Sequence, residues 1–195
     1  MRNSILFYLL VFTAVMIYFP AASYAEATAA EGERLGKTCA GCHGTNGNTP
    51  GEYIGKIGGQ NAGYMSKVLK EFAAGKRPKS VEMSIVSKGY TAEQLDSIAL
   101  YYAAKAWMPT TEANDAAKAE AGKTLAGQSG CFDCHGTKGE GMDSYPRIGG
   151  QNRGYLYEVL KSYKAGDLEA DEMAMVKDFS DEQLEDLANF ISGLK

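Results

Sequence analysis

The sequence contains the same five-residue pattern twice, namely two cysteines separated by two residues, with a histidine directly after the second. Together the two copies use every cysteine and every histidine of the chain: Cys39, Cys42, His43, Cys131, Cys134 and His135. C-x-x-C-H is the attachment signature of a c-type heme. Two cysteine sulfurs form thioethers to the porphyrin, and the histidine supplies an axial nitrogen to the iron. The pattern therefore predicts two covalently bound heme c groups.

Cysteine pairs have other roles in proteins. Two C-x-x-C pairs can bind one zinc ion, but the pairs of a zinc ribbon normally lie closer together than the 92 residues that separate these. A thioredoxin-like site would require a βαβ setting. A disulfide within C-x-x-C closes too small a loop to add much stability. The histidine after each pair favours heme, with zinc binding and free thiols as the alternatives.

Both motifs belong to an internal duplication of the chain. Short identical stretches recur in the same order, 89 to 92 positions apart. One of them is Gly-Gly-Gln-Asn, at residues 58–61 and again at 149–152. We therefore predict two homologous domains, residues 26–108 and 109–195, joined by a short linker near residues 108–112.

The hydrophobic pattern predicts helices in each half and no strand, because period-two alternation is absent. Helices are expected over residues 29–38, 62–74, 113–126 and 153–165, with a last helix in each half. Threonine or serine followed by glutamine forms a capping box where the last helix begins: Thr91/Gln94 and Ser180/Gln183. One face of each last helix is apolar: Leu95, Ile98, Ala99, Tyr102, Leu184, Leu187, Ala188 and Ile191. The predicted fold class is all-α, with a polar loop around the methionine before each last helix.

Residues 1–25 have the composition of a signal peptide. Arg2 precedes an apolar run over residues 5–19, and residues 23–25 place small side chains at the two positions that signal peptidase recognises. The apolar run is short for a membrane span. We predict cleavage after Ala25 and export to the periplasm. Retention of the segment as an anchor is the alternative, so a loose membrane association stays open.

The charge of the mature chain limits its partners. Removal of residues 1–25 leaves 19 basic and 24 acidic residues, a formal charge of −5 to which heme propionates would add. This charge argues against nucleic acid or an anionic membrane surface as a partner. A redox partner with a basic patch fits better, although solubility alone would also account for the charge.

The sixth ligand of each iron must come from another residue type, because the motifs use both histidines and all four cysteines. Methionine is the expected donor, and histidine–methionine ligation raises the reduction potential of a heme. Met83 follows His43 by 40 residues, and Met173 follows His135 by 38, at matching positions of the repeat. Met175 is the competitor in the second half, but it matches an apolar packing position of the first. We predict the pairs His43/Met83 and His135/Met173, with a lysine ligand or an open coordination site as the alternatives to methionine.

The second nitrogen of each histidine needs a hydrogen-bond acceptor, which is usually a backbone carbonyl. Pro146, which has no N–H, can fix such a carbonyl near His135, and Gly55 takes the equivalent place in the first half. Six further residues are candidates for contact with heme propionates, although each is more often a surface or packing residue: Tyr64, Tyr155, Lys56, Arg147, Gln60 and Gln151.

Together these features resemble the cytochrome c4 family, exported diheme proteins made of two class I cytochrome c domains. The shared motifs are the duplicated C-x-x-C-H-G, the G-G-Q-N stretch with its following Gly-Tyr, the Glu-Met dipeptide and the capped last helix. The resemblance covers nearly all of residues 30–195. It implies thioethers at the four cysteines, the axial pairs named above, and hemes that face each other across the domain boundary. Gly55 departs from the family pattern, which has proline there, and the loop before Met173 is one residue shorter than its counterpart.

Members of this family carry electrons towards terminal oxidases in respiratory chains. The resemblance thus implies an electron carrier rather than an enzyme, with protein redox partners that include a terminal oxidase. The alternative is a heme subunit of a larger oxidoreductase, because the cytochrome subunit of flavocytochrome c sulfide dehydrogenase shares this diheme plan. A flavin would then belong to another chain, since no G-x-G-x-x-G fingerprint is present. A diheme enzyme is disfavoured because no further histidine or cysteine is available as a ligand.

Overall fold

The computed structural model describes residues 27–142 and 144–195, so the predicted signal peptide lies outside the described residues. Within these ranges the chain is helical and forms no strand, which confirms the all-α prediction. The first half contains α1 (Ala29–Gly36), α2 (Ala40–His43), α3 (Ala62–Ala73), α4 (Val81–Ser87) and α5 (Ala92–Ala103). The second half contains α6 (Ala116–Gln128), α7 (Cys131–His135), α8 (Arg153–Ala165), a 3₁₀ helix (Asp171–Asp178) and α9 (Asp181–Ser192). In the described part of the chain, every helix is too short or too polar to span a membrane.

The predicted helix bounds hold to within a few residues, and the largest difference has a local cause. The helix expected over residues 113–126 begins three residues later. The carboxylate of Asp115 accepts hydrogen bonds from the backbone N–H groups of Ala117 and Lys118, at 2.9 and 3.1 Å. A side-chain cap of this kind fixes where a helix begins.

The structure corrects the expectation of a polar loop around the methionines. Met83 lies in α4, and Met173 lies in the 3₁₀ helix. Neither segment contains a glycine or proline that would interrupt a helix. In α4, the N–H and the hydroxyl of Ser84 both donate to the carbonyl of Ser80 at 3.1 Å. Each methionine is therefore carried by a helical turn.

The last helix of each half begins with its predicted capping box and forms the centre of a separate core. In the first half, α5 packs against α1 and α3, and in the second, α9 packs against α6 and α8. All eight apolar residues predicted to face inwards are buried: Leu95, Ile98, Ala99, Tyr102, Leu184, Leu187, Ala188 and Ile191. The two cores share no residue, as expected for a duplicated unit.

The repeated glycine pair ties the loop after each C-x-x-C-H motif to the last helix. Gly59 N–H donates to the carbonyl of Tyr102 at 2.9 Å, and Gly150 N–H donates to that of Ile191 at 3.0 Å. Both glycines have a φ of +73°, a left-handed conformation that residues with a Cβ rarely adopt. The glycine pairs therefore recur in the sequence because the same backbone turn recurs in the fold.

Two buried glutamines join the halves by reciprocal hydrogen bonds. Gln60 Nε2 donates to the carbonyl of Arg147 at 2.8 Å, and Arg147 N–H donates to Gln60 Oε1 at 2.7 Å. Gln151 Nε2 donates to the carbonyl of Lys56 at 3.0 Å, and Lys56 N–H donates to Gln151 Oε1 at 2.7 Å. Lys56 and Arg147 occupy matching positions of the repeat, and so do Gln60 and Gln151. The two contacts are therefore equivalent, and an approximate twofold axis relates the halves. These amides bind protein backbone, a different role from the propionate contact expected of them.

The predicted linker lies against both halves. Met108 N–H donates to Asn48 Oδ1 of the first half at 2.9 Å. Two residues later, Thr110 N–H donates to the carbonyl of Gly150 in the second half at 2.7 Å. The connection is thus fixed by hydrogen bonds at both ends.

A helix-crossing glycine gives a test of the packing. A Cβ on Gly122 in α6 would overlap the carbonyl oxygen of Asp186 in α9, whereas a Cβ on Gly127 in the same helix would meet nothing within 4 Å. We expect Gly122→Ala to lower the free energy of unfolding by about 2 kcal/mol or more. Gly127→Ala should be neutral or should raise it by about 0.5 kcal/mol. Urea unfolding followed by circular dichroism compares them, and equal effects would contradict the packing.

The glutamine contacts give a second test. Gln60→Ala leaves a half-buried N–H and carbonyl of Arg147 without partners, and Gln151→Ala leaves a buried N–H and carbonyl of Lys56 without partners. We expect each variant to lose about 2 kcal/mol of stability and to be cut faster by protease in the linker. Gln128→Ala, at an exposed position, is the matched control. Cleavage rates equal to that of the control would show that the glutamines do not hold the halves together.

Candidate heme sites

Each C-x-x-C-H motif folds as a helical turn that gathers its three functional side chains. The cysteines are three residues apart and the histidine follows the second one, so all three lie on neighbouring positions of one helix face. Cys39 packs against the first core and Cys131 against the second. Burial raises the pKa of both thiols. Each motif is thus anchored to the core of its own half.

The histidines are fixed in the same way in both halves. His43 Nδ1 lies 2.7 Å from the carbonyl oxygen of Gly55, and His135 Nδ1 lies 3.0 Å from that of Pro146. A carbonyl can only accept, so Nδ1 carries the proton and Nε2 keeps its lone pair. Burial lowers the pKa of both histidines, although the carbonyl opposes it, so both rings are neutral at pH 7. The prediction of a backbone acceptor at Gly55 and Pro146 is confirmed.

Two other roles of the cysteines, a disulfide within each motif and a zinc ion shared by the motifs, gain no support from the structure. No disulfide bond closes either motif. Among the described residues, no cluster of three or more histidine, cysteine, aspartate or glutamate side chains is arranged to hold a metal ion. A zinc site shared by the two motifs would require such a cluster.

The three candidate methionines differ in exposure. Met83 and Met173 are both half-buried, and Met173 packs against the core that Cys131 also contacts. Met175 has 39% of its surface exposed, and Val86 at the matching position of the first half has 37% exposed. Met175 and Val86 thus resemble each other in exposure as well as in position. Neither side chain belongs to the core, so the expectation that Met175 takes an apolar packing position is wrong.

Two buried donors near the boundary of the halves fit a bound carboxylate. The guanidinium of Arg147 lies over the ring of Trp107, 5.4 Å from its centroid. Trp107 Nε1 and Arg147 Nε are both buried and have no hydrogen-bond partner among the described residues. Buried donors normally have an acceptor, and a heme propionate is an acceptor of the right charge. The residues therefore fit heme. Arg147 is one of the predicted propionate candidates, whereas Trp107 lacks any sequence signal for this role.

The other propionate candidates have protein contacts. Lys56 is buried, and its Nζ donates to the carbonyl of Thr49 at 3.0 Å. Burial lowers the pKa of Lys56 and raises the pKa of Tyr64 and of Tyr155, and Arg77 opposes the increase at both tyrosines. Arg77 itself is buried and absent from the prediction, because nothing in its sequence context distinguishes it from a surface arginine.

Comparison with known proteins agrees with these features. The sequence model of the cytochrome c family matches residues 119–195. Cytochrome c4 of Pseudomonas aeruginosa is 30% identical over 151 residues, which cover 74% of this chain and 75% of that protein. The cytochrome subunit of sulfide dehydrogenase of Chlorobaculum tepidum is 41% identical over 75 residues, covering 38% of this chain and 66% of that protein. The crystal structure of reduced recombinant cytochrome c4 from Pseudomonas stutzeri matches with a TM-score of 0.78 at 27% identity, covering 87% of this chain and 100% of that one.

The similarity extends over both repeats, and the geometry of each repeat suits a covalently attached heme. Heme c supplies a one-electron couple, and the chain supplies the imidazole, the thiols and the buried setting. Since it matches a cytochrome c4 over three quarters of that protein's length at 30% identity, this chain belongs to the cytochrome c4 family, whose members carry two covalently bound heme c groups and transfer electrons.

Proposed function

We propose that this chain is a periplasmic one-electron carrier with two six-coordinate hemes. In this assignment His43 and Met83 bind the first iron, and His135 and Met173 bind the second. The thioethers are formed by Cys39, Cys42, Cys131 and Cys134. The observation that carries the proposal is the paired hydrogen bond of the two histidines, which leaves Nε2 of each ring as the nitrogen for iron.

The ligand set also supports a carrier rather than an enzyme. With the histidine and the methionine of each half both bound to it, the iron would have no open position for a substrate. The neutral histidine, held by its carbonyl, and the half-buried methionine are both available in each half. The two separate cores support the division into domains 26–108 and 109–195. The composition of residues 1–25 supports export.

Methionine variants test the ligand assignment. We expect Met83→Ala to remove about half of the near-infrared sulfur-to-iron charge-transfer band and to let carbon monoxide bind one heme, because one of two irons loses its thioether. Met173→Ala should do the same for the other heme. Met175→Ala is the matched control and should leave the band intact. Loss of the band on changing Met175 would assign that residue as the ligand instead.

The surfaces around the two methionines carry opposite charges, which bears on the partners. Residues 76–90 contain three exposed basic side chains and one exposed acidic side chain, whereas residues 167–179 contain four exposed acidic side chains and one exposed basic side chain. In the first half, Val81 and Ile85 on α4 are 61% and 68% exposed. Both side chains are exposed whereas Ser87 of the same helix is buried, and the exposed Lys76 and Lys88 flank them in the sequence. We propose that a redox protein with an apolar, acid-rimmed surface docks on the first half, and one with a basic surface on the second.

Charged small oxidants test this difference. We expect Lys76→Glu with Lys88→Glu to slow oxidation of the reduced protein by hexacyanoferrate(III) about tenfold at low ionic strength, because the anion loses its attraction to the first half. The same variant should speed oxidation by the cation tris(phenanthroline)cobalt(III). Lys123→Glu with Lys195→Glu makes the same change in net charge in the second half. If that control slows the anion as much, net charge alone accounts for the rates.

A second candidate function rests on one of the relatives. The cytochrome subunit of sulfide dehydrogenase of Chlorobaculum tepidum is 41% identical to this chain, over 75 residues only. This favours the alternative in which the chain accepts electrons as a subunit of a larger oxidoreductase. Gel filtration of native extract separates the two: a carrier elutes near its own mass, and a subunit elutes at a larger mass with a flavin spectrum.

A further inference from the structure

We infer that the second half of the chain positions the axial histidine of the first heme, with Asn152 and Tyr155 as the positioning residues. The inference rests on the proposed ligation of the first iron by His43. It adds that the electronic properties of the first heme depend on side chains of the other half. Three sets of contacts around Gly55, whose carbonyl orients His43, carry it.

The first set comes from Asn152, which is fully buried. Its Nδ2 lies 2.8 Å from the carbonyl of Ile54, 3.0 Å from that of Gly51 and 3.2 Å from that of Thr49. All three carbonyls belong to the first-half loop that leads to Gly55. Asn152 precedes α8 at its N-cap position, yet its side chain makes no capping hydrogen bond to that helix. Its amide is directed to the other half instead.

The second set of contacts holds Lys56, the residue that follows Gly55. The amide of Gln151 exchanges two hydrogen bonds with the backbone of Lys56, at 2.7 and 3.0 Å. The peptide groups before and after Gly55 are therefore both bound by consecutive residues of the second half. Because a carbonyl held on both sides cannot turn freely, its direction towards His43 Nδ1 is set from the second half.

The third set is the packing of Tyr155 on Gly55. The Tyr155 N–H donates to the carbonyl of Glu52 at 2.9 Å, which places its ring over the loop. A Cβ on Gly55 would lie 2.8 Å from Tyr155 Cζ, and the next ring atoms are 3.0 and 3.1 Å away. Gly55 does not have a positive φ, so glycine is required there for space rather than for backbone conformation. This accounts for the departure from the family's proline, whose ring would meet the tyrosine.

Labelling of histidine alone makes the inference testable in the intact diheme protein. The chain has two histidines, so ¹⁵N-histidine gives one Nδ1–H signal from each half in the diamagnetic reduced state. We expect Asn152→Ala to speed solvent exchange of the His43 Nδ1–H about tenfold, because the loop opens more easily. The His135 signal should not change, and the midpoint potential of the first heme should shift while that of the second stays fixed.

Asn189→Ala is the matched control. Asn189 is also a buried asparagine of the second half, but its hydrogen bonds to Asp115, Arg153 and Glu185 stay within that half. A general loss of stability of the second half would therefore appear in both variants, whereas loosening of the His43 carbonyl would appear only in Asn152→Ala. Equal exchange rates for His43 in the two variants would overturn the inference.

A second pair of variants covers the case in which Asn152→Ala fails to fold. Gly55→Ala should shift the His43 signal and the first-heme potential, because the new methyl group displaces either the tyrosine ring or the carbonyl. Tyr155→Leu in the same chain should restore both by making room. Additive effects of the two substitutions would contradict the contact. If His43 Nε2 of the unaltered protein lacks the chemical shift of iron-bound imidazole, the ligand proposal fails instead, which is a distinct outcome.

Discussion

The hydrogen bond between a half-buried imidazole and a loop carbonyl is the interaction on which the rest of this structure depends. It holds the ring still and keeps the proton on Nδ1, so that the lone pair of Nε2 is free to bind a metal. The carbonyls of Gly55 and Pro146 can do this because the glycine pairs that follow tie each loop to the last helix of its half. The fold therefore sets the chemistry of the site through backbone groups.

The duplication does more than supply two copies of one site. The loop that supplies each carbonyl also supplies the surface on which the other half docks, since Gln60 and Gln151 each bind the residue directly after the carbonyl of the opposite half. Only one peptide group separates each glutamine from the histidine of the opposite half. A shift of the glutamine would therefore move the carbonyl that orients that histidine. This arrangement suits a protein in which two redox centres work as a pair, because the contact that joins the halves also supports the two histidines.

The sequence predicts what local spacing determines. The heme motifs, the capping boxes and the apolar faces of the last helices follow from patterns within a few residues, and the structure confirms the helices and the core. The prediction of loops around Met83 and Met173 is wrong. It follows from the polar composition of these segments, whereas their lack of glycine and proline allows helical turns. The pairing of Trp107 with Arg147, and of Tyr155 with Gly55, joins residues that lie 40 and 100 positions apart. Such contacts arise from the docking of the halves, which no local pattern encodes.

The central claim is that each half covalently holds one heme, and the intact mass of the purified mature protein tests it most directly. Measured under denaturing conditions together with the pyridine hemochrome spectrum, the mass should equal that of the polypeptide from residue 26 plus two heme groups. The spectrum should show the same two hemes per chain, with both vinyl groups saturated. A mass equal to the bare polypeptide, or to the polypeptide with a single heme, would contradict the account.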